Sequence, residues 1–180
     1  MRERYLEGEK VFLSPVEETD VSALRKIKNQ KCIRLSMSPC IPQTDADVLA
    51  DINIAKSSGS PYFLIFKKSV LPKKRRPIGF VKLEILSSIF RGAEIHIGIL
   101  KKYTRKGYGS EVINMITDYA FNELNMHSLR AFIKGKNYAS QKAFENQNYQ
   151  RAGTLQEGAY YDGGYNDCVL YHCIPCFRKE

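Results

Sequence analysis

The chain has 180 residues, of which 43% are hydrophobic and 26% charged, which is typical of one globular domain. It contains no apolar run near the ~20 residues that a membrane span requires. Its N-terminus mixes charges and lacks the apolar stretch of a secretory signal. We therefore expect a cytoplasmic protein that does not associate with membranes.

Most of the formal net charge of +9 is local. Residues 67–76 contain six basic residues and no acid, so the remainder of the chain is close to an ordinary balance. These residues are Lys67, Lys68, Lys73, Lys74, Arg75 and Arg76. We expect a solvated loop, which could contact a polyanion such as RNA.

The first half of the chain predicts one strand, two amphipathic helices and three consecutive strands. Thr19 or Asp20 caps the first helix, and Thr44 and Asp45 open the second. The second helix carries its apolar residues at Val48, Leu49, Ile52 and Ala55. The strands are predicted at 11–13, 62–66, 78–86 and 93–100.

The second half predicts helices at 108–124 and 140–146, and strands at 129–133, 151–156 and 168–174. The element order is then β-α-α-β-β-β-α-β-α-β-β. The strand at 93–100 and the strand at 129–133 flank a helix, which favours a parallel pair with a right-handed crossover. The sequence therefore predicts an α/β fold, a mixed sheet with helices on both faces.

A glycine turn separates the strand at 93–100 from the longest helix. Gly107 and Gly109 allow a ligand to approach the backbone closely, and a helix N-terminus attracts anions. The neighbouring Arg105 and Lys106 add two positive charges, so the turn is suited to a pyrophosphate. It lacks the Gly-Lys-Ser/Thr ending of a Walker loop, and Val112 replaces the third glycine of a Rossmann fingerprint. A purely structural turn that lets the helix pack closely remains an alternative.

Two segments resemble motifs of the GNAT N-acetyltransferase superfamily. Residues 93–95 followed by 103–111 look like its acetyl-CoA-binding motif, particularly in the branch of ribosomal-protein N-terminal and spermidine acetyltransferases. Asn137-x-x-Ser140, ahead of a short helix, is similar to that branch's second motif. The predicted element order fits this family from residue 10 to residue 174.

The resemblance implies a single N-acetyltransferase domain over residues 1–180, with acetyl-CoA as co-substrate. The cofactor-binding residues that it implies are Ile99, Leu100, Arg105, Lys106, Gly107, Tyr108, Gly109, Ser110, Asn137, Ser140 and Phe144. Two positions depart from the family pattern. Thr104 occupies a place where the family usually has Gln or Arg, although Arg105 follows directly. Phe144 occupies a place where the family often has a tyrosine general acid.

Acetyl transfer to an amine requires a neutral nitrogen, so a base in the cleft is useful. Along the strand at 93–100, Glu94, His96 and Gly98 share one face, and three isoleucines share the other. Glu94, or His96 acting with it through water, is the candidate base. A solvated Glu94 and a hydrogen-bonded sheet histidine at His96 are the alternatives. Candidate donors to the leaving thiolate, through water, are Ser140, Tyr138 and one of the pair Tyr160-Tyr161. Backbone amides near Ile99 could stabilise the oxyanion.

The sequence leaves the acceptor open among a protein N-terminus, a polyamine and an amino sugar. An amino-sugar-nucleotide acetyltransferase would also suit the basic stretch at 67–76. The alternative outside the enzyme class is a non-catalytic basic module that binds RNA or another polyanion. The oligomeric state is open, and a dimer is plausible. Cys173 and Cys176 lack the ligand set of a zinc site, so we expect no metal and buried, reduced thiols.

Overall fold

The computed structural model describes residues 2–37, 41–68 and 76–178, with side chains up to Cys176. One mixed sheet of eight strands has the order β1-β2-β3-β4-β5-β6-β8-β7. The strands are β1 (Leu6–Glu7), β2 (Val11–Pro15), β3 (Tyr62–Lys67), β4 (Gly79–Ser87), β5 (Gly92–Ile99), β6 (Ser128–Lys134), β7 (Gln150–Tyr161) and β8 (Gly164–Cys173). The helices are α1 (Val21–Lys28), α2 (Lys31–Arg34), α3 (Asp45–Ser57), α4 (Tyr108–Asn122) and α5 (Tyr138–Glu145).

The helices cover both faces of the sheet, as the sequence predicts. On one face, α1 and α3 bury an apolar cluster that includes Leu24, Ile52 and Phe80. On the other face, α4 and α5 bury a larger cluster that includes Ile116 and Phe144. Both faces of the central strands are therefore buried, which accounts for the nearly continuous apolar runs of the sequence. None of the described helices is long and apolar enough to cross a membrane.

The predicted elements are present, and the structure adds to them. The two-residue β1 and the four-residue α2 are absent from the predicted order. In α3, Leu49 is exposed while its neighbour Val48 is buried, so the predicted apolar face was wrong at Leu49. The helix begins as predicted, because Thr44 and Asp47 form a reciprocal capping box.

The last two strands are longer than the sequence predicts and form one hairpin. Strand β7 extends to Tyr161 rather than ending at 156, and β8 starts at Gly164 rather than 168. Asp162 and Gly163 join them with φ angles of +55° and +80°. Two consecutive positive φ values belong to the hairpin turns that match strand twist, so the segment between 156 and 168 is sheet rather than loop.

The parallel pair β5–β6 is short. It covers only Gly92–Glu94 on β5 and Ser128–Arg130 on β6. Beyond Glu94, β5 remains paired with β4 as far as Ile99, and β6 remains paired with β8 as far as Lys134. The two central strands therefore separate, and a gap opens in the middle of the sheet.

The buried hydroxyl of Tyr171 makes the fold sensitive to alkaline pH. It donates a hydrogen bond of 2.6 Å to Glu145 Oε1, and burial together with that carboxylate raises the pKa of Tyr171 to about 12. An unfolded tyrosine has a pKa near ~10, so the unfolded chain loses this proton first as the pH rises. The stability that this group contributes is present below pH ~10 and is lost as the pH rises toward about 12.

We therefore expect Tyr171→Phe to flatten the pH dependence of the free energy of unfolding between pH ~10 and ~12. Urea unfolding across that window measures the effect, and Tyr138→Phe at an exposed tyrosine is the control. Equal slopes for the parent and Tyr171→Phe would contradict this expectation.

Candidate active site

A cavity of about 280 Å³ occupies the gap between β5 and β6. It brings together five of the residues that the sequence singles out: Glu94, His96, Asn137, Ser140 and Phe144. The segment after α2, the β7 strand and the β6 strand complete its walls. Because the wall combines carboxylate, imidazole and hydroxyl groups with apolar side chains, it is suited to hold a reacting group away from bulk water.

Glu94 and His96 lie on the same face of β5, as the alternation predicts. Glu94 is only 13% exposed, and its Oε2 accepts a hydrogen bond of 2.9 Å from Arg130 Nε on β6. The other carboxylate oxygen, Oε1, lies 3.7 Å from His96 Nε2. A second carboxylate, Glu84 on β4, places its Oε2 2.8 Å from the same nitrogen. Both carboxylates thus approach the same nitrogen of the imidazole.

Backbone amides of β5 face the gap. Leu100 N–H donates to Ile78 O on the β4 side at 2.9 Å. Because successive amides of a strand point to opposite edges, the amides of Ile99 and Ile97 are directed away from β4 and toward the side that β6 has left. These amides are the donors that the sequence analysis assigns to an oxyanion.

The glycine turn lies at the N-terminus of α4, and residues 105–110 are not part of the cavity wall. Gly107 has φ +82° and ends the turn in the left-handed conformation. The first hydrogen bond of the helix runs from Glu111 N–H to Gly107 O. The amides of Tyr108, Gly109 and Ser110 precede it and receive no partner within the helix, which leaves three donors at a positive helix end.

Gly109 is not required by the fold. Its φ is not positive, and a Cβ placed there would meet only Ile99 Cδ1, at an ordinary contact distance of 3.6 Å. The protein itself could therefore accommodate a side chain at this position. An open space beside three helix-end amides fits a ligand that approaches the backbone, and it weakens the purely structural interpretation of the turn.

The turn is surrounded by positive charge. Arg105 and Lys106 are exposed and belong to the turn itself, and Lys101 and Lys102 lie just before it. A Cβ at Gly107 would lie 3.1 Å from Lys10 Nζ, so this ammonium also adjoins the turn. Glu111, the last residue of the motif, faces the other way: its Oε1 accepts the amide of Lys10 at 2.8 Å and ties α4 to the start of β2.

The second motif has a structural role at the start of α5. Asn137 is the N-cap, and its Oδ1 accepts the amide of Ser140 at 3.3 Å. Phe144 is buried and packs edge-on against Tyr149, with ring centroids 5.0 Å apart. The phenyl ring fills the place of the family's tyrosine and cannot donate a proton. Ser140 lies on the cavity wall beside it.

An ion-pair cluster lies on the same face of β4 and β5 as His96. Asp51 on α3 lies 2.5 Å from Lys28 Nζ on α1 and 2.9 Å from Lys82 Nζ on β4. Burial opposes ionisation of Asp51, but hydrogen bonds and charge from both lysines outweigh it and lower its pKa. Lys82 is the register partner of His96, so this cluster fixes α1 and α3 against β4, the neighbour of the strand that carries the candidate base.

Sequence analysis missed several residues of the wall. Lys134 on β6 carries charge into it, and Ser36 and Met37 reach it from the segment after α2. Arg130 does not line the cavity but donates a hydrogen bond to Glu94, which does. Lys134 is 7% exposed and donates to Leu35 O at 2.9 Å, which holds that segment over the gap. A lysine directly after the apolar residues Ala131, Phe132 and Ile133 was the available signal for Lys134.

Two further regions that the sequence singles out are the C-terminal cysteines and the basic stretch at 67–76. Cys173 is buried, but Cys176 is exposed in the last short helix, so the expectation of a buried thiol was wrong for Cys176. Among the described residues, no group of three His, Cys, Asp or Glu side chains could hold a metal ion. Of the basic stretch, Lys67, Lys68 and Arg76 are described, whereas residues 69–75 lie outside the described ranges.

Comparison with known families identifies the fold and the class. Residues 10–150 match the acetyltransferase (GNAT) domain model, and the chain therefore belongs to the GNAT acetyltransferase family. This match covers both the glycine turn and the Asn137-x-x-Ser140 motif.

Curated relatives include a spermidine N(1)-acetyltransferase of Vibrio cholerae, 31% identical over 90 residues, which cover 50% of this chain and 52% of the relative. A putative ribosomal N-acetyltransferase of Bacillus subtilis, YdaF, is 28% identical over 96 residues, which cover 53% of this chain and 52% of the relative. The chain thus aligns with about half the length of these relatives.

Solved structures match almost the whole chain. The spermidine N-acetyltransferase from Vibrio cholerae in complex with CoA and spermine has a TM-score of 0.83 at 21% identity, covering 94% of this chain and 98% of that one. A ribosomal-protein alanine acetyltransferase from Vibrio fischeri has a TM-score of 0.79 at 18% identity, covering 97% and 98%. At identities of 21% and 18%, the structural similarity establishes the fold alone.

Proposed function

We propose that this protein transfers an acetyl group from acetyl-CoA to a primary amine. The observation that carries the proposal is the separation of β5 from β6 beyond Glu94. The separation creates a cavity whose wall holds a carboxylate, an imidazole and a hydroxyl. It also leaves the amides of Ile97 and Ile99, which point away from β4, facing that cavity. Membership of the GNAT family supports the same reaction.

The residues present fit acetyl-CoA. When bound, it supplies an acetyl group activated as a thioester. Arg105, Lys106 and the helix-end amides of Tyr108, Gly109 and Ser110 would hold its pyrophosphate, because a helix N-terminus with adjacent cations is an anion site. Ile99 and Leu100 lead from this turn to the cavity. Asn137, Ser140 and Phe144 line the cavity on the side where α5 lies. Because acetyl-CoA is an intracellular metabolite, we place the reaction in the cytoplasm.

The catalytic roles follow from the wall of the cavity. Glu94 accepts the proton that the amine must lose, with His96 beside its free oxygen Oε1. The gap-facing amides of Ile97 and Ile99 stabilise the oxyanion of the tetrahedral intermediate. A thiolate with a pKa near ~8.5 is a good leaving group, so a water-mediated donor such as Ser140 suffices where the family's tyrosine is absent.

The acceptor is an amine-bearing small molecule or a protein N-terminus. The relatives are named for spermidine and for ribosomal proteins, and both acceptors present a primary amine. The carboxylates of Glu84 and Glu94 on the β4–β5 face attract a cationic acceptor of either kind.

Ligand-induced stabilisation tests the proposal against the RNA-binding alternative. A ligand at ~100 times its Kd stabilises the folded state by ~2.7 kcal/mol, so acetyl-CoA should raise the melting temperature clearly. Coenzyme A lacking the acetyl group serves as a positive control and a short RNA as the competing ligand. Stabilisation by RNA alone, lost at high salt, would support a polyanion-binding module instead.

A further inference from the structure

One buried polar atom of the site has no hydrogen-bond partner. Within the described ranges, His96 Nε2 is the buried side-chain nitrogen or oxygen that makes no hydrogen bond. It nevertheless lies 2.8 Å from Glu84 Oε2 and 3.7 Å from Glu94 Oε1, close enough to exchange a proton after a small rotation of either carboxylate. Buried groups without partners are rare, so this one needs an explanation.

The exposure of the three side chains increases from Glu94 through His96 to Glu84. Glu94 is 13% exposed, His96 30% and Glu84 46%. The innermost member lies on the cavity wall, and the outermost reaches solvent. His96 Nε2 is itself shielded, so an acceptor amine in the cavity can contact Glu94 but not this nitrogen. The arrangement therefore connects the cavity to solvent through one imidazole.

Two carboxylates, those of Glu84 and Glu94, lie beside His96. Glu84 and Glu94 are direct register partners across β4 and β5, and like charges at such positions are unfavourable. Arg130 compensates Glu94 through Oε2. Lys82, the other charged neighbour on β4, is engaged by Asp51. Within residues 2–37, 41–68 and 76–176, the ion pair that Glu84 forms is with His96 Nε2, at 2.8 Å.

We propose that Glu84 is the exit residue of a proton relay that runs from Glu94 through His96 to solvent. The inference rests on the proposed acetyl transfer. An N–H bond of the acceptor ammonium breaks as an O–H bond forms on Glu94 Oε1. That proton moves to His96 Nε2, then to Glu84 Oε2, and finally to water. The net change is one proton transferred from amine to solvent, which restores Glu94 for the next turnover. Glu84 acts through His96 and does not touch the substrate.

Glu84→Gln is the direct test, because it keeps the shape and removes the proton acceptor. Glu18→Gln is the matched control, since Glu18 is also an exposed carboxylate but forms its ion pair with Lys56 on the surface, away from His96. We expect Glu84→Gln to slow steady-state acetylation of spermidine, or of a peptide with a free N-terminus, by ~10- to 100-fold in dilute buffer, because Glu94 must be deprotonated again before each new turnover. Glu84→Asp should restore part of the rate.

Buffer rescue distinguishes a relay from a structural role. An external base can replace a missing proton exit, so the rate of Glu84→Gln should rise with imidazole concentration. The rates of the parent and of Glu18→Gln should not change. A Glu84→Gln protein that is as fast as the parent in dilute buffer, or one that is slow and insensitive to imidazole, would overturn the relay.

A spectroscopic measurement requires no acceptor. In long-range ¹H–¹⁵N spectra, the Nε2 resonance of His96, assigned by its loss in His96→Gln, should move in Glu84→Gln and stay in Glu18→Gln. An unmoved resonance would contradict the contact on which the relay depends. If the parent acetylates no amine at all, the proposed function fails. If the parent is active and Glu84→Gln behaves like it, the relay alone fails.

Discussion

Gly109→Val is expected to abolish the binding of acetyl-CoA while leaving the fold intact. Among the described residues, a Cβ at this position meets only Ile99 Cδ1 at 3.6 Å, and the backbone φ is not positive, so neither the Cβ nor the backbone conformation strains the fold. Glycine is a poor helix residue by ~1 kcal/mol relative to alanine, and its replacement should not lower the stability of α4. The branched side chain would instead occupy the space in which a pyrophosphate approaches the amides.

Isothermal calorimetry with acetyl-CoA measures the effect, and the melting temperature checks the fold. Gly153→Val is the matched control, because a Cβ at Gly153 on β7 would have no neighbour within 4 Å and this residue lies far from the turn in sequence. The control should bind acetyl-CoA like the parent. Normal binding by Gly109→Val would mean that the turn serves only the packing of α4.

Glu94→Gln is expected to lower the rate of acetyl transfer by ~10²- to 10³-fold, with little change in acetyl-CoA affinity. Glutamine keeps the shape and can still accept the hydrogen bond from Arg130, but it cannot take a proton from the amine. The expected loss depends on the acceptor. A polyamine or lysine amine with a pKa near ~10.4 is almost fully protonated at pH 7, whereas an α-amine near ~8 is ~10% neutral.

Steady-state rates with spermidine and with a free peptide N-terminus, measured from pH 6 to 10, test this dependence. The deficit of Glu94→Gln should be severe for spermidine at pH 7 and should shrink as the pH approaches the pKa of the free amine. Full activity with a high-pKa amine at pH 7 would remove Glu94 from the mechanism, and His96 would be the next residue to test.

Local signals predicted most of the fold. The start of α3 at Thr44 and Asp45, the helical spacing of α4 and the alternation on β5 all depend on residues close in sequence, and each is confirmed. The hairpin of β7 and β8 also had a local signal, the Asp162-Gly163 pair, which favours a two-residue turn between strands. The predicted strand bounds of 151–156 and 168–174 did not use this signal and were too short. The four-residue α2 has no side-chain cap and could not have been predicted.

The site was predictable only in part. The position of Glu84 beside Glu94 depends on the register between β4 and β5. Glu94 and His96 share a face by alternation alone. The partnership of Glu84 with Glu94 depends on a bulge near Leu86, where the register shifts between Ile85 and Ser87. Without that extra residue, the Ser87–Gly92 pairing would place Glu84 opposite Ile95, on the face of α4. No short-range pattern in the sequence reveals this shift.

Arg130 and Lys134 could not be assigned to the site from sequence for a similar reason. Their strand pairs with β5 over only three residues, and the point at which the strands separate is set by the whole sheet. Arg130 lies at the last pair and binds Glu94. Lys134 lies beyond the separation and reaches Leu35 from a distant segment of the chain. Such contacts depend on tertiary structure and leave no local pattern. The glycine turn, in contrast, could be predicted from the six consecutive residues 105–110.

The most direct test of the central claim is a mass-spectrometric assay of acetyl transfer. The protein is incubated with acetyl-CoA and a panel of peptide N-termini, polyamines and amino sugars, and both products are quantified. The account predicts at least one acceptor that gains a single acetyl group with equimolar release of coenzyme A, and loss of this product in Gly109→Val. An absence of acetylated product across the panel, together with no binding of acetyl-CoA by calorimetry, would contradict it.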